Sequence, residues 1–329
     1  MAQTRLSDVI VPEEFTAYQA ENSLVSTALY QSGVLVQNGE MASQLQAGAQ
    51  SFAVPFWSDL PDVEADITND DPTINSTPQK ITADKQIVRK SFLHASWSEM
   101  SLASELSGSD ALARIQSRVL NYWDRQYEKR LIASLLGVLY SNAANNGSDM
   151  VNDISGATGA AADFSATAVI DTAATLGDRL EDCKAIAMHS TIYKEALKND
   201  LIEFIPQSQG LPIKTFRGLA VILDDNLTTS TDGVFVTILF GPGAVGFATS
   251  APRTGYGTEL FRVPSAGNGG GQSTLHSRFN VALHPLGFRF TDTSVAGESP
   301  TMAELATAGN WTRAVSQRKS VPLAFLVSK

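Results

Sequence analysis

Four histidines, one cysteine, two adjacent aspartates and a glycine–proline run are the residues of this 329-residue chain whose chemistry could go beyond packing. His94, His189, His276 and His284 never stand at the close spacing of a helical zinc pair such as HExxH, so each is expected to be a satisfied structural histidine. Cys183 is alone, which excludes an intramolecular disulfide and a thiolate zinc site and suggests a small buried residue in a reducing cytoplasm. Asp224 and Asp225 end an apolar run, where phosphate and metal enzymes often put carboxylates. Nothing beside them supplies a P-loop lysine or a nucleophile, and a turn with a helix cap is the expected role. Gly241, Pro242 and Gly243 resemble a dinucleotide fingerprint only loosely, because the GxGxxG spacing is absent and Pro242 has no N–H to offer a phosphate. Asp59, Asp62, Glu64, Asp66, Asp70 and Asp71 crowd one short segment, which fits a solvated loop or contact with a basic neighbouring surface better than acid–base chemistry. An enzyme needs convergent groups, and these do not converge: no catalytic residues, cofactor-binding residues, cofactor or metal ligands are expected.

The net charge is -10, from 34 acidic against 24 basic residues. That balance disfavours a groove built on phosphate contacts, which needs clustered Lys and Arg. It does not disfavour a container, whose wall can face nucleic acid without binding it. The length suffices for a sizeable core divided into two packed regions. No run of 18 apolar residues and no signal-like core after Met1 is present, so a soluble chain without a membrane segment is expected.

The element best placed to organise such a chain lies at residues 109 to 141. Leu112, Ile115, Val119, Tyr122 or Trp123, Tyr127, Leu131 or Ile132, Leu135 and Val138 recur at three- and four-residue spacing, predicting one long helix with an apolar face, roughly 50 Å long at about 1.5 Å per residue. Ser109 or Asp110 is the expected cap. Tyr122, Trp123 and Tyr127 are read as seating this helix in its core, with a partner-facing aromatic patch as the alternative.

Around this spine the chain divides by composition. Residues 1 to 50 are polar with a helix-like stretch near Glu13 to Leu29, fitting either an arm on a neighbouring subunit or a locally packed subdomain. Phe52 to Trp57 and Lys80 to Trp97 read as two extended arms around a turn-rich acidic tip, an excursion too long for the interior of a compact monomer. A small-residue linker at 142 to 162 precedes a helix capped by Ser165 and carrying Val169, Ala173, Leu176 and Leu180. Short apolar strands at 185 to 188, 220 to 223 and 234 to 240 follow, giving a compact α/β unit between about 160 and 250. The glycines at 241 to 243 and 267 to 271 are read as breaks. Beyond them come a strand at 279 to 290 interrupted near Pro285, a short helix at 301 to 308, Trp311 as an anchor, and a terminal strand at 321 to 327 expected to return to a core beside the spine.

Several segments together carry a family resemblance: Ser107 to Ala111 with Asn121 to Gln126 and Leu135 to Leu139, then Met188 to Tyr193, Asn199 to Pro206 and Gly218 to Asp225, and finally Glu304 to Arg313 with the terminal strand. In order and spacing the chain resembles the major capsid (coat) proteins of tailed double-stranded DNA bacteriophages with the Hong Kong 97-like fold, from roughly residue 50 onward. The resemblance implies an α+β fold with an N-terminal arm at 1–50, an extended loop (E-loop) at 51–99, a P-domain with the spine helix at 100–154 and 255–329, and an A-domain at 155–254. It also implies a virion protein that self-assembles in the bacterial host cytoplasm into hexamers and pentamers of an icosahedral shell, a homo-oligomer enclosing DNA without sequence-specific binding. A scaffolding protein, a portal and a decoration protein are implied partners; residues 1 to 50 are too short for a fused scaffold, so the resemblance implies either a separate scaffold or a chain that is already the mature form. A head-decoration or tail-tube subunit is the alternative. Some relatives cross-link subunits through Lys and Asn; Lys80, Lys85 or Lys90 could supply such a lysine.

Overall fold

The spine helix runs from Ala111 to Asn145 in the computed structural model, which describes residues 29, 34–37, 39–60, 63–68, 70–71, 73, 75, 77–205, 213–229, 231 and 233–329. A shorter helix, Ser101–Ser107, stops at Gly108, whose φ of 66° is left-handed. The chain restarts at Asp110, whose carboxylate accepts from the Ala113 N–H and satisfies one free donor of the spine's first turn. The single apolar face expected from periodicity holds only for the first half. From Tyr127 to Asn142 the helix is wrapped on most sides, and Glu128, Arg130, Ser134, Ser141 and Asn142 are buried with the apolar residues. A helix enclosed this way must find partners for its polar side chains, and Ser134 Oγ donates to the Arg130 carbonyl one turn back while Ser141 Oγ donates to the Trp311 carbonyl.

Two sheets share this helix. The first is centred on one long strand, Gln272–Pro285. Ser91–Met100 lines one edge of it antiparallel from Gln272 to Val281, while Thr258–Val263 and Val245–Ser250 lie end to end along the other. Leu35–Gln37 adds a parallel strand outside Val245–Ser250. Trp123, Tyr127, Phe247 and Val281 make the core between this sheet and the first half of the spine, with Trp123 Nε1 donating to Ser277 Oγ at 2.9 Å. The aromatic trio thus packs, as read from its spacing. The glycines at 267 to 271 do not separate two regions: they form the connection of the hairpin whose strands are Thr258–Val263 and Gln272–Pro285. A strand starting at 279 misses the first seven residues of this one, whose buried positions Ser273 and Ser277 carry no apolar signal.

The second sheet has seven strands in the order Val151–Asp153, Leu323–Ser328, Phe235–Phe240, Ala185–Met188, Leu219–Leu223, Ile213–Phe216 and Glu203–Ile205. The terminal strand therefore pairs inside this sheet, yet Leu323, Phe325 and Val327 face a core shared with Leu131, Leu135 and Val138 of the spine. Ala324 and Leu326 face the opposite core with Val169 and Ile192 of the helices Ala166–Ala174 and Ser190–Lys198. All six residues of the strand are buried, and Leu323 to Val327 are apolar without alternation, as a strand covered on both faces requires. Ser165 caps the helix at 166 as expected, but the helix ends at Ala174; Leu176 and Leu180 lie beyond it, Leu180 in a 3-10 turn that begins at Gly177, φ 63°. Val245–Ser250 follows the second sheet in sequence but hydrogen-bonds in the first.

Ser51–Trp57 and Ala83–Arg89 pair antiparallel over seven residues as a projecting hairpin. Its root is fastened in several ways. Phe52 and Val88 pack with Met41 and Leu45 of the helix Gly39–Leu45 against Ala248 and Ala282 of the first sheet. Arg89 pairs with Asp292 at 3.1 Å, Arg289 with Asp84 at 2.8 Å, and the Gly287 N–H donates to Gln86. Leu35–Gln37 and Gly39–Leu45 thus pack on their own subunit, whereas the stretch from Glu13 lies outside the described residues apart from Leu29.

Candidate assembly surfaces

The residues singled out for chemistry fall into structural roles. His189 caps the helix Ser190–Lys198, its Nδ1 accepting from the Thr191 N–H at 3.0 Å, and its ring lies on Phe235. Asp224 accepts from the Asn226 backbone and side-chain N–H groups, and Asp225 accepts from the Ser190 N–H; hydrogen bonding from the Ser190 side chain leads the causes holding the Asp225 carboxyl below the ordinary value. The turn is the one the sequence suggested, but no helix starts after it: Asp225 instead reaches the first turn of Ser190–Lys198, which His189 caps. Gly241 to Gly243 turn one strand into another rather than into a helix, and Gly241 lies so close to Pro322 that a Cβ would stand 2.8 Å from the proline ring. Cys183 is buried, and burial pushes its thiol up, away from the reactive thiolate.

One pairing was invisible in the sequence. Cross-strand register brings His94 next to His276, with Nε2 and Nδ1 3.1 Å apart and the rings stacked. One ring must donate and the other accept, so the pair is satisfied while it holds at most one extra proton. Burial, then the charges of His276 and Arg278, keep His94 below the usual histidine value. Among the described residues no third His, Cys, Asp or Glu completes a metal-binding group. Only knowledge of the strand register could have found the pair, since the two residues belong to strands far apart in the chain.

Lys90 is corrected as a cross-linking candidate. It is wholly buried at the hairpin root, its ammonium donating to the Ala47 carbonyl at 2.6 Å above the Phe52 ring, and burial lowers its pKa. Lys80 and Lys85 are exposed. The sequence gives no sign of this difference, because all three lysines sit in the same alternating run.

What remains exposed is apolar surface on projecting parts. The hairpin and its tip carry Trp57 at 70% exposure, Leu60, Val63, Ile67 at 87% and Ile81. Acidic Asp59, Glu64, Asp66, Asp70 and Asp71 are interleaved with them. Edge strands of both sheets add to it: Leu260 and Phe261 on Thr258–Val263, and Phe204 and Ile205 on Glu203–Ile205. Leu120 projects from the less buried half of the spine at 71%. Apolar groups on open strand edges are a liability for a monomer and an asset for a subunit that will be covered by its neighbours.

Among solved structures this arrangement matches shell proteins. The capsid of Ralstonia phage GP4 superposes with a TM-score of 0.61 over 96% of this chain and 95% of that one, at 9% identity. The cyanophage Pam1 capsid does so with 0.58 over 96% of both chains, at 10% identity. At such identities the likeness speaks for the fold, which is the α+β fold of phage capsid proteins. The chain belongs to the family described as major capsid protein 13-like, whose profile matches residues 132–322. The major capsid protein of Bacillus phage SPP1 is 38% identical over 326 residues, which cover 97% of this chain and 96% of that protein. The family is structural and not enzymatic.

Proposed function

We propose that this chain is the structural subunit of an icosahedral bacteriophage head, residing in the virion capsid and self-assembling in the host cytoplasm into hexamers and pentamers around double-stranded DNA. The observation that carries this reading is the end-to-end similarity to a phage major capsid protein, which includes the hairpin and both sheets. The physical support is the apolar hairpin surface, which its own subunit leaves open. The subunit divides into an arm at 1–50, an extended loop at 51–99, a P-domain at 100–154 and 255–329, and an A-domain at 155–254. Strands cross that division: Val245–Ser250 lies in the first sheet, and Val151–Asp153 and Leu323–Ser328 lie in the second. DNA is enclosed without sequence-specific contacts, consistent with the net charge of -10. A separate scaffolding protein, a portal and a decoration protein are the partners this role calls for.

Electron microscopy and sedimentation of the purified chain, alone and co-expressed with a scaffold, test the reading. Closed particles or discrete capsomers are expected. A persistent monomer in both conditions would defeat it.

A further inference from the structure

The less buried half of the spine carries its positive charge along one side. At 3.6 residues per turn, Arg114, Arg118, Arg125 and Lys129 fall within about 60° of one another around the helix axis, a basic stripe roughly 22 Å long. Arg125 is half-buried and the other three are exposed. Of the two acids on this helix, Glu128 is buried, where it accepts from the Leu29 N–H, and burial raises the Asp124 carboxyl. Beside the stripe, where the helix faces the strand Ser91–Met100, Trp97, Ile115, Val119 and Tyr122 line a pocket of about 180 Å³ whose remaining wall is Arg118 and Arg125. Tyr122 meets the Trp97 ring edge-on, with centroids 5.1 Å apart.

An apolar wall beside two guanidiniums selects its occupant. A nucleic-acid backbone would meet the arginines but leave the aromatic and aliphatic wall bare, whereas an aliphatic side chain flanked by carboxylates satisfies both. This chain presents such a segment on the hairpin tip, where exposed Leu60, Val63 and Ile67 alternate with exposed Asp59, Glu64 and Asp66. The two surfaces are opposite in charge, and each has an apolar part for the other to cover. We propose that the hairpin tip of one copy docks on the spine of a second copy, Ile67 entering the pocket and Glu64 and Asp66 reaching Arg118 and Arg125. The contact joins two different patches of identical subunits, so it is heterologous, and repeated around an axis it closes a ring. The inference rests on the shell reading, which supplies the second copy.

Two measurements on the full chain test it. In the first, a benzophenone side chain at position 68, next to Ile67, is photoactivated in capsomers assembled from a mixture of isotopically light and heavy chains. A cross-link to Trp97 or to residues 111–125 that joins a light chain to a heavy one is expected. In the second, Glu64→Lys with Asp66→Lys, and separately Arg118→Glu with Arg125→Glu, should each cut capsomer yield about tenfold, and the chain carrying all four should recover most of it, because the attraction returns with its signs exchanged. Normal capsomers whose cross-link stays within one chain or lands elsewhere overturn the docking and leave the shell reading standing; a wild type that forms no capsomers, with or without a scaffold, defeats both. A fourfold variant no better than either pair also overturns the docking. So does an arginine pair variant that assembles normally yet packages less DNA, which would give the stripe to nucleic acid. If the arginine variant does not fold, judged by its unfolding midpoint, the cross-link decides alone.

Discussion

Burial sets the proton affinity of His284. Enclosure pushes its pKa from 6.5 down to about 4, against a weaker upward pull from the Phe288 backbone. The folded protein thus binds this proton more weakly than the unfolded chain does, so the penalty is absent above about pH 6.5 and grows as the pH falls towards about 4. At roughly 1.4 kcal/mol per pKa unit, the cost reaches about 3 kcal/mol. Denaturant unfolding should show this loss over that window, and His284→Phe should flatten it. Equal slopes for wild type and variant would show that the ring is not desolvated. A carboxylate illustrates the opposite case: burial alone would raise Asp149, but hydrogen bonds from Asn142 and Arg313, with the charges of Arg313 and Arg318, outweigh it and hold the carboxyl low.

Between elements, close approach decides more than propensity. Gly137 lies where the spine meets Trp311, whose indole N–H donates to the Leu305 carbonyl at 2.7 Å. A Cβ on residue 137 would stand 2.5 Å from Trp311 Nε1 and overlap the Leu305 carbonyl oxygen. In an open helix, glycine to alanine stabilises by about 1 kcal/mol. Here Gly137→Ala should instead destabilise by about 1 to 3 kcal/mol through overpacking, read as a lower unfolding midpoint. A higher midpoint would mean that the short helix Met302–Leu305 moves away freely. The spine was legible because its period and its Asp110 cap agree. The long strand was not, because the serines at 273 and 277 fill a face where sequence reading looks for apolar groups, and Ser277 earns its burial by accepting from Trp123, a residue on a different element. Likewise the buried guanidiniums of Arg89 and Arg130 look in sequence like any surface arginine.

The hairpin matters at the scale of the whole molecule because its strands are anchored while its tip is not needed to complete a core. Removing Asp62 to Thr77 shortens a loop whose closure entropy changes slowly with length, by about 0.6 kcal/mol per doubling. The deleted subunit should therefore keep its unfolding midpoint but give few or no capsomers or particles by sedimentation and electron microscopy. Undiminished particle yield would remove the intersubunit role of this loop. Its extended arms and acidic tip could be read from composition. The partition of the molecule was harder, since the two sheets exchange strands: Val245–Ser250 and Leu323–Ser328 each pair away from their sequence neighbours, and no local signal marks such a crossing.

The placement of Leu323–Ser328 between Val151–Asp153 and Phe235–Phe240 also has a temporal side. Both partners are translated long before it, so neither apolar layer beside that sheet can close until residue 328 has left the ribosome. A nascent chain halted earlier presents two unpaired strand edges and an open core, the features that quality-control chaperones bind.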